Sequence, residues 1–176
     1  MPRSVTDLHW NERALNERND AKVNIHDTVQ RDLELDFVFR HLPTNGHVLE
    51  IGCGNGYVTQ QLRGRTRQVD AFDFAENMVN RARITFGETN NRFFHGNLLE
   101  RSTCPSEKYD AAICVRVLIN LRNFEEQVTG LRNIANWLKP KGTLILVEGF
   151  SEGFASLNRI RAHCEMPDLV DRKSVV

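Results

Sequence analysis

The chain has no closely spaced cysteine pair. Cys53, Cys104, Cys114 and Cys164 stand far apart without a C-x-x-C motif, so they read as free thiols rather than a disulfide framework. Its histidines form no H-x-x-x-H pattern. His163, Cys164 and Glu165 are adjacent, but neighbouring side chains diverge on a helix or a strand, so no metal site is expected. A basic excess is also missing: 23 Lys and Arg balance 23 Asp and Glu. A dedicated nucleic-acid binder needs such an excess to neutralise phosphates, so no nucleic-acid partner is expected. The longest apolar runs, such as LILV at 144–147, are too short to cross a bilayer. The opening MPRSVTDLHW lacks the apolar stretch of a secretory signal. No membrane partner and a cytoplasmic localisation are therefore expected.

With 176 residues, 40% of them hydrophobic, the chain can form one domain with a sizeable core. Residues 7–42 read as two helices. Asp27, followed three positions later by Gln30, resembles a capping box opening the second. Val29, Leu33 and Phe37 then recur every four residues, widened by Val38 and Leu42, and predict its buried face. Pro43, Asn45 and Gly46 break the chain. Strands and helices alternate from there. HVLEI (47–51), QVDAF (68–72), RFF (92–94), YDAAICV (109–115) and TLILVE (143–148) are strand-like. The intervening segments start at Tyr57, pass through Met78, Val79 and Ala82, and run from Phe124 to Leu138, where Lys139-Pro140-Lys141-Gly142 predicts a turn. A further helix is expected from Ala155 to about Cys164. Such alternation implies right-handed crossovers and an α/β, doubly wound, mostly parallel sheet.

In these sheets ligands bind at the carboxyl ends of the strands, where the topology reverses. VLEIGCGNG (48–56) holds that place on the first strand. Gly52, Gly54 and Gly56 allow a tight turn and close approach of backbone to ligand. The helix from Tyr57 offers free N–H groups to an anion. Asp73, ending the second strand, can accept hydrogen bonds from both hydroxyls of a ribose. The chemistry points to a nucleoside-containing cofactor without choosing one. Arg116 and Asn120 follow the fourth strand, where reacting groups sit; either could equally support the loop. His26 reads as a substrate contact or a capping residue.

The glycine spacing narrows the choice. A dinucleotide fingerprint G-x-G-x-x-G needs its third glycine at Tyr57. The pattern here is E-x-G-x-G-x-G, from Glu50 to Gly56, which resembles the first motif of class I S-adenosylmethionine-dependent methyltransferases. The resemblance runs from Val48 to Glu148. DFAENM (73–78) looks like the second-strand motif and FFHGNLL (93–99) like the third, where the family usually has Asp in place of Asn97. YDAAICVRVLINL (109–121) and the KPKG-TLILVE ending match the fourth and fifth strands. It implies a Rossmann-like methyltransferase fold holding S-adenosyl-L-methionine through Glu50, Gly52, Cys53, Gly54, Asp73, Phe74, Met78, Asn97, Leu98 and Val115. Asp73 would hold the ribose, Phe74 flank the adenine, and Asn97 accept from the adenine amino group. The blander readings make Cys53 a small loop residue and Met78 helix core lining the pocket.

The family has no universal catalytic residue, so none is carried over. VRVLINL stands where an Asn-Pro-Pro-Tyr-type sequence would indicate methylation of a planar base, and a small-molecule acceptor is the expectation. The alternatives are a non-catalytic cofactor-binding subunit and a nicotinamide-dependent oxidoreductase. Residues 1–42, with His9, Trp10 and His26, are expected to form a helical lid over a 43–150 core, followed by a helical 151–170. A complete fold of the family has seven strands, and no sixth or seventh is legible after Glu148. The expectation is a C-terminal truncation that leaves the fifth strand an open edge. Residues 171–176, DRKSVV, read as a translated sequencing adapter and are expected to be a non-native tail.

Overall fold

The computed structural model describes residues 5–17, 20–25, 27–87, 89–104 and 108–169. The readings of His26 and of the 171–176 tail fall outside these residues. The order is α1 (Val5–Asn16), α2 (Thr28–His41), β1 (His47–Ile51), α3 (Tyr57–Gln61), β2 (Gln68–Asp73), α4 (Glu76–Phe86), β3 (Asn91–His95), β4 (Tyr109–Val115), α5 (Phe124–Trp137), β5 (Leu138–Val147) and α6 (Ser151–His163). Short 3₁₀ turns lie at Asp20–Lys22 and Leu118–Asn120, among others. None of the described helices is long and apolar enough to cross a membrane.

The five strands form one parallel sheet in the order β3-β2-β1-β4-β5. From β1 the chain steps outward to β3, then returns to β4 on the other side. The reversal opens a crevice between the carboxyl ends of β1 and β4. β1 is buried on both faces, with Val48, Leu49 and Ile51 as its apolar residues and His47 and Glu50 buried beside them. Val48, Val69, Ala71, Ala111 and Ile113 face a core completed by Val38 of α2 and Val79 and Ala82 of α4. Leu49, Ile51, Phe72, Ala112 and Cys114 face the opposite core with Ile134 and Trp137 of α5. The two-residue period of the strands produces both faces.

Near the amino ends of the strands, Asp70 is fully buried. It accepts hydrogen bonds from Tyr109 Oη (3.0 Å), Arg92 Nη2 (2.6 Å) and Gln68 Nε2 (2.9 Å), and lies 3.2 Å from His47 Nε2. One carboxylate thus ties four strands together.

Three local expectations are corrected. Part of the α2 stripe faces outward: Val29 is 69%, Leu33 67% and Phe37 42% exposed, while Val38 and Leu42 of the expected stripe pack on the core, and Arg31 and Leu35 are buried as well. Apolar residues lie on more than one side of this helix, and tertiary contact selects the face. Arg31 is drawn in by the Ala21 carbonyl (2.9 Å) and by the Tyr57 ring, 4.7 Å from the guanidinium carbon. Second, Asp27 caps Gln30 N at 3.0 Å, but the Gln30 side chain turns forward to Glu34 instead of closing the box. Third, Lys139–Gly142 does not separate α5 from β5. Leu138 already pairs with Tyr109, and the segment bulges out before Thr143 pairs with Ala111. In addition, α6 begins at Ser151, earlier than Ala155.

Candidate functional site

The turn after β1 is built by its glycines. Gly52 and Gly54 have φ of 69° and 53°, a region that side-chain-bearing residues rarely adopt. A Cβ on Gly52 would collide with Val117, and one on Gly54 with the Asn24 side chain. Asp73 holds this turn from β2: its Oδ2 accepts from Gly54 N at 2.8 Å and its Oδ1 from Ala75 N at 2.9 Å. Burial raises the Asp73 pKa to about 6, and the two backbone donors oppose the rise.

A cavity of about 400 Å³ opens over the turn at the crevice between β1 and β4. Of the residues expected from the sequence, Gly52, Gly54, Asp73, Phe74, Met78, Asn97, Leu98 and Val115 line it. Arg116 and Asn120 line it too. Asn97 Oδ1 accepts from Leu99 N at 3.0 Å, which orients the amide at the rim. Glu50 and Cys53 are not among the lining residues. Glu50 lies beneath the turn, where its Oε2 accepts from Thr59 Oγ1 at 2.5 Å. Burial raises its pKa to about 8; the Thr59 bond opposes this and the Asp73 charge adds to it. Cys53 is buried, its Sγ 3.6 Å from the Gly54 carbonyl, and burial pushes the thiol pKa up.

The N-terminal segment adds further lining residues, of which the sequence marks only Trp10. Thr6, Trp10 and Asn24 roof the cavity. They reach it because α1 packs on α4: Asn11 Oδ1 accepts from Asn77 N at 2.9 Å, and Arg81 donates to the Ala14 carbonyl at 2.7 Å. Val23 is buried against Ala14, Ala75 and Met78. His9 does not line the cavity; its ring meets Trp10 edge-on at 5.2 Å. In the sequence Glu148 is no more than the end of a strand-like run. Its Oε1 accepts from Val117 N and Leu118 N, both at 2.7 Å, and so fixes the loop after β4. Its pKa is raised by burial and held back by those amides. No local motif announces these contacts, because each joins segments remote in sequence.

A doubly wound parallel sheet with a cavity at its switch point, floored by a glycine turn and an acidic residue, defines a nucleoside-cofactor-binding α/β domain. The family model described as "Methyltransferase domain" matches residues 48–142, and the chain belongs to this family. A malonyl-[acyl-carrier protein] O-methyltransferase of Bacillus cereus is 35% identical over 120 residues, which are 65% of this chain and 43% of that protein. An uncharacterized methyltransferase of Mycobacterium tuberculosis is 28% identical over 100 residues, 57% of this chain and 49% of that one. The chain thus spans less than half the length of these relatives. Among solved structures, the N-methyltransferase NodS from Bradyrhizobium japonicum, in complex with S-adenosylhomocysteine, superposes with a TM-score of 0.71 at 21% identity. That match covers 85% of this chain and 76% of NodS. A DhpI complex with the same ligand gives 0.69 at 21% identity, covering 84% and 69%. Both share the fold.

Proposed function

We propose that this chain binds S-adenosyl-L-methionine and moves its methyl group to a small-molecule acceptor. The observation that carries the reading is Asp73. Its carboxylate borders the cavity while spending one lone pair per oxygen on backbone amides, which leaves acceptor capacity for two sugar hydroxyls. The cavity's size falls within the roughly 300–1,000 Å³ usual for cofactor and small-molecule sites.

In this reading Asp73 holds the ribose, Phe74 and Leu98 flank the adenine, and Asn97 faces its amino group. Gly52 and Gly54 let the amino-acid end pass close to the backbone, Met78 and Val115 complete the wall, and Glu50 and Cys53 act by supporting the turn. The cofactor supplies a methyl already activated on a sulfonium, whose thioether leaves neutral. No acid is needed for that departure. The chain's residues therefore align the nucleophile and exclude water, a contribution worth roughly 7–11 kcal/mol when positioning is tight. A base is required only for a nucleophile that arrives protonated.

The small-molecule class rests on the balanced charge and on the apolar wall of Phe72, Leu98, Val117, Ile119 and Leu121. The roof of Thr6, Trp10 and Asn24 supports a lid function for the N-terminal segment, in front of a 43–150 core. By contrast, α2 packs on the sheet through Val38. Titration calorimetry with S-adenosylmethionine, S-adenosylhomocysteine and NAD tests the reading. The first two are expected to bind and NAD to give no heat; binding of NAD alone overturns the proposal.

A further inference from the structure

Beside the main cavity lies a smaller one of about 40 Å³, and Asn24, Val115 and Arg116 line both. Arg31 and Tyr57 complete its polar wall together with Asp20. Two of these polar groups are already engaged. Asp20 is taken by Arg81 at 2.6 Å and by Asn55, and Arg31 by Asp32 at 2.7 Å and the Ala21 carbonyl. The other three are less committed. Among the described residues, the Asn24 carboxamide, the Tyr57 hydroxyl and the Arg116 guanidinium make no hydrogen bond. The nearest acid to Arg116 is Glu34, a single ion pair at 3.5 Å.

A guanidinium has five N–H donors in a planar fork that matches a carboxylate. The Arg116 side chain is only 24% exposed, so water satisfies those donors poorly. Its backbone is also held in the left-handed region, φ 54°, which is strained for a residue with a Cβ. Three contacts enforce this. Arg116 N donates to the Val147 carbonyl at 2.8 Å, its carbonyl accepts from Asn120 Nδ2 at 2.7 Å, and Glu148 grips the two amides that follow. Strain upheld from several sides marks a side chain whose direction is used.

We infer that Asn24, Tyr57 and Arg116 form an anion subsite, and that the methyl acceptor carries a carboxylate which docks there while its apolar body fills the neighbouring wall. The inference rests on the methyltransferase reading. The small cavity has room for one compact polar group and not for a ring. Glu34 pairs with one end of the guanidinium through Nη1, and the remaining N–H donors are left for the acceptor's carboxylate.

The test uses the protein saturated with S-adenosylhomocysteine and three probes that share one ring: benzoate, its isostere benzamide, and the cation benzylamine. Arg116→Gly is the first variant, because glycine suits φ 54° and the fold survives loss of the side chain. Tyr57→Phe, at a residue that lines only the smaller cavity, is the second. Benzoate is expected to bind about ten-fold or more tightly than benzamide. Arg116→Gly is expected to erase that preference, and Tyr57→Phe to weaken it while the affinity for S-adenosylhomocysteine stays within about two-fold, since Tyr57 lines only the smaller cavity. Benzamide or benzylamine binding as well as benzoate overturns the inference. So does loss of S-adenosylhomocysteine affinity in Arg116→Gly with benzoate unaffected, which would assign the fork to the cofactor's own carboxylate. Failure of the unmodified protein to bind S-adenosylhomocysteine appears before any probe is added, and it overturns the underlying reading instead.

Discussion

Asp73 Oδ2 accepts the Gly54 amide at 2.8 Å, joining the carboxyl end of β2 to the turn that follows β1. The same carboxylate therefore shapes the floor of the cavity and faces its contents. Asp73→Asn keeps the size but turns one acceptor oxygen into a donor, which must face either Gly54 N or Ala75 N. The expected result is a loss of S-adenosylhomocysteine affinity of about 10–100-fold, equivalent to roughly 1.4–2.8 kcal/mol. Calorimetry reads the affinity and thermal melting the loosened turn.

Glu50 provides a pH signature. Its pKa in the folded protein is about 8 against an ordinary 4.5, chiefly through burial. The folded state thus binds more protons than the unfolded state between those values, and stability falls as pH rises through that window. The cost is of the order of a few kcal/mol, at about 1.4 kcal/mol per pH unit. Asp73 adds the same sign at lower pH, up to about 6. Urea unfolding is expected to show a protein less stable at pH 9 than at pH 6. Glu50→Gln should flatten the difference, and an unchanged slope would contradict the assignment.

Tyr109→Phe removes one donor from the buried Asp70 hub and leaves Arg92 and Gln68 in place. A loss of about 1–2 kcal/mol is expected in urea unfolding. The hub lies near the amino ends of the strands, away from the cavity, so S-adenosylhomocysteine affinity should not change.

Trp10 lines the cavity, while Trp137 is buried beneath Phe72 with ring centroids 5.8 Å apart. Occupation of the cavity should alter the emission of Trp10 alone. Trp10→Phe is expected to abolish the fluorescence change on adding S-adenosylhomocysteine, and Trp137→Phe to retain it. The opposite pattern would remove the N-terminal segment from the site.

Much of this molecule is set by interactions local enough to read along the chain. HVLEI and YDAAICV became β1 and β4 because apolar runs bounded by turn residues have few other ways to bury themselves. The glycine turn adopts positive φ where the spacing placed it, and Asp73 arrives beside it because strand and crossover lengths dictate the register. What the sequence left open was decided by long-range contact. α2 has apolar residues on more than one side, and only the packing of Val38 on the sheet and of Arg31 on Tyr57 determines which side is buried. Asn24 and Trp10 become cavity walls because α1 docks on α4. Glu148 becomes the anchor of the loop after β4 because parallel pairing brings the end of β5 beside it. Hydrophobic period and turn chemistry are properties of neighbours in the chain, whereas side-chain partnerships across a sheet exist only after the strands have been brought together.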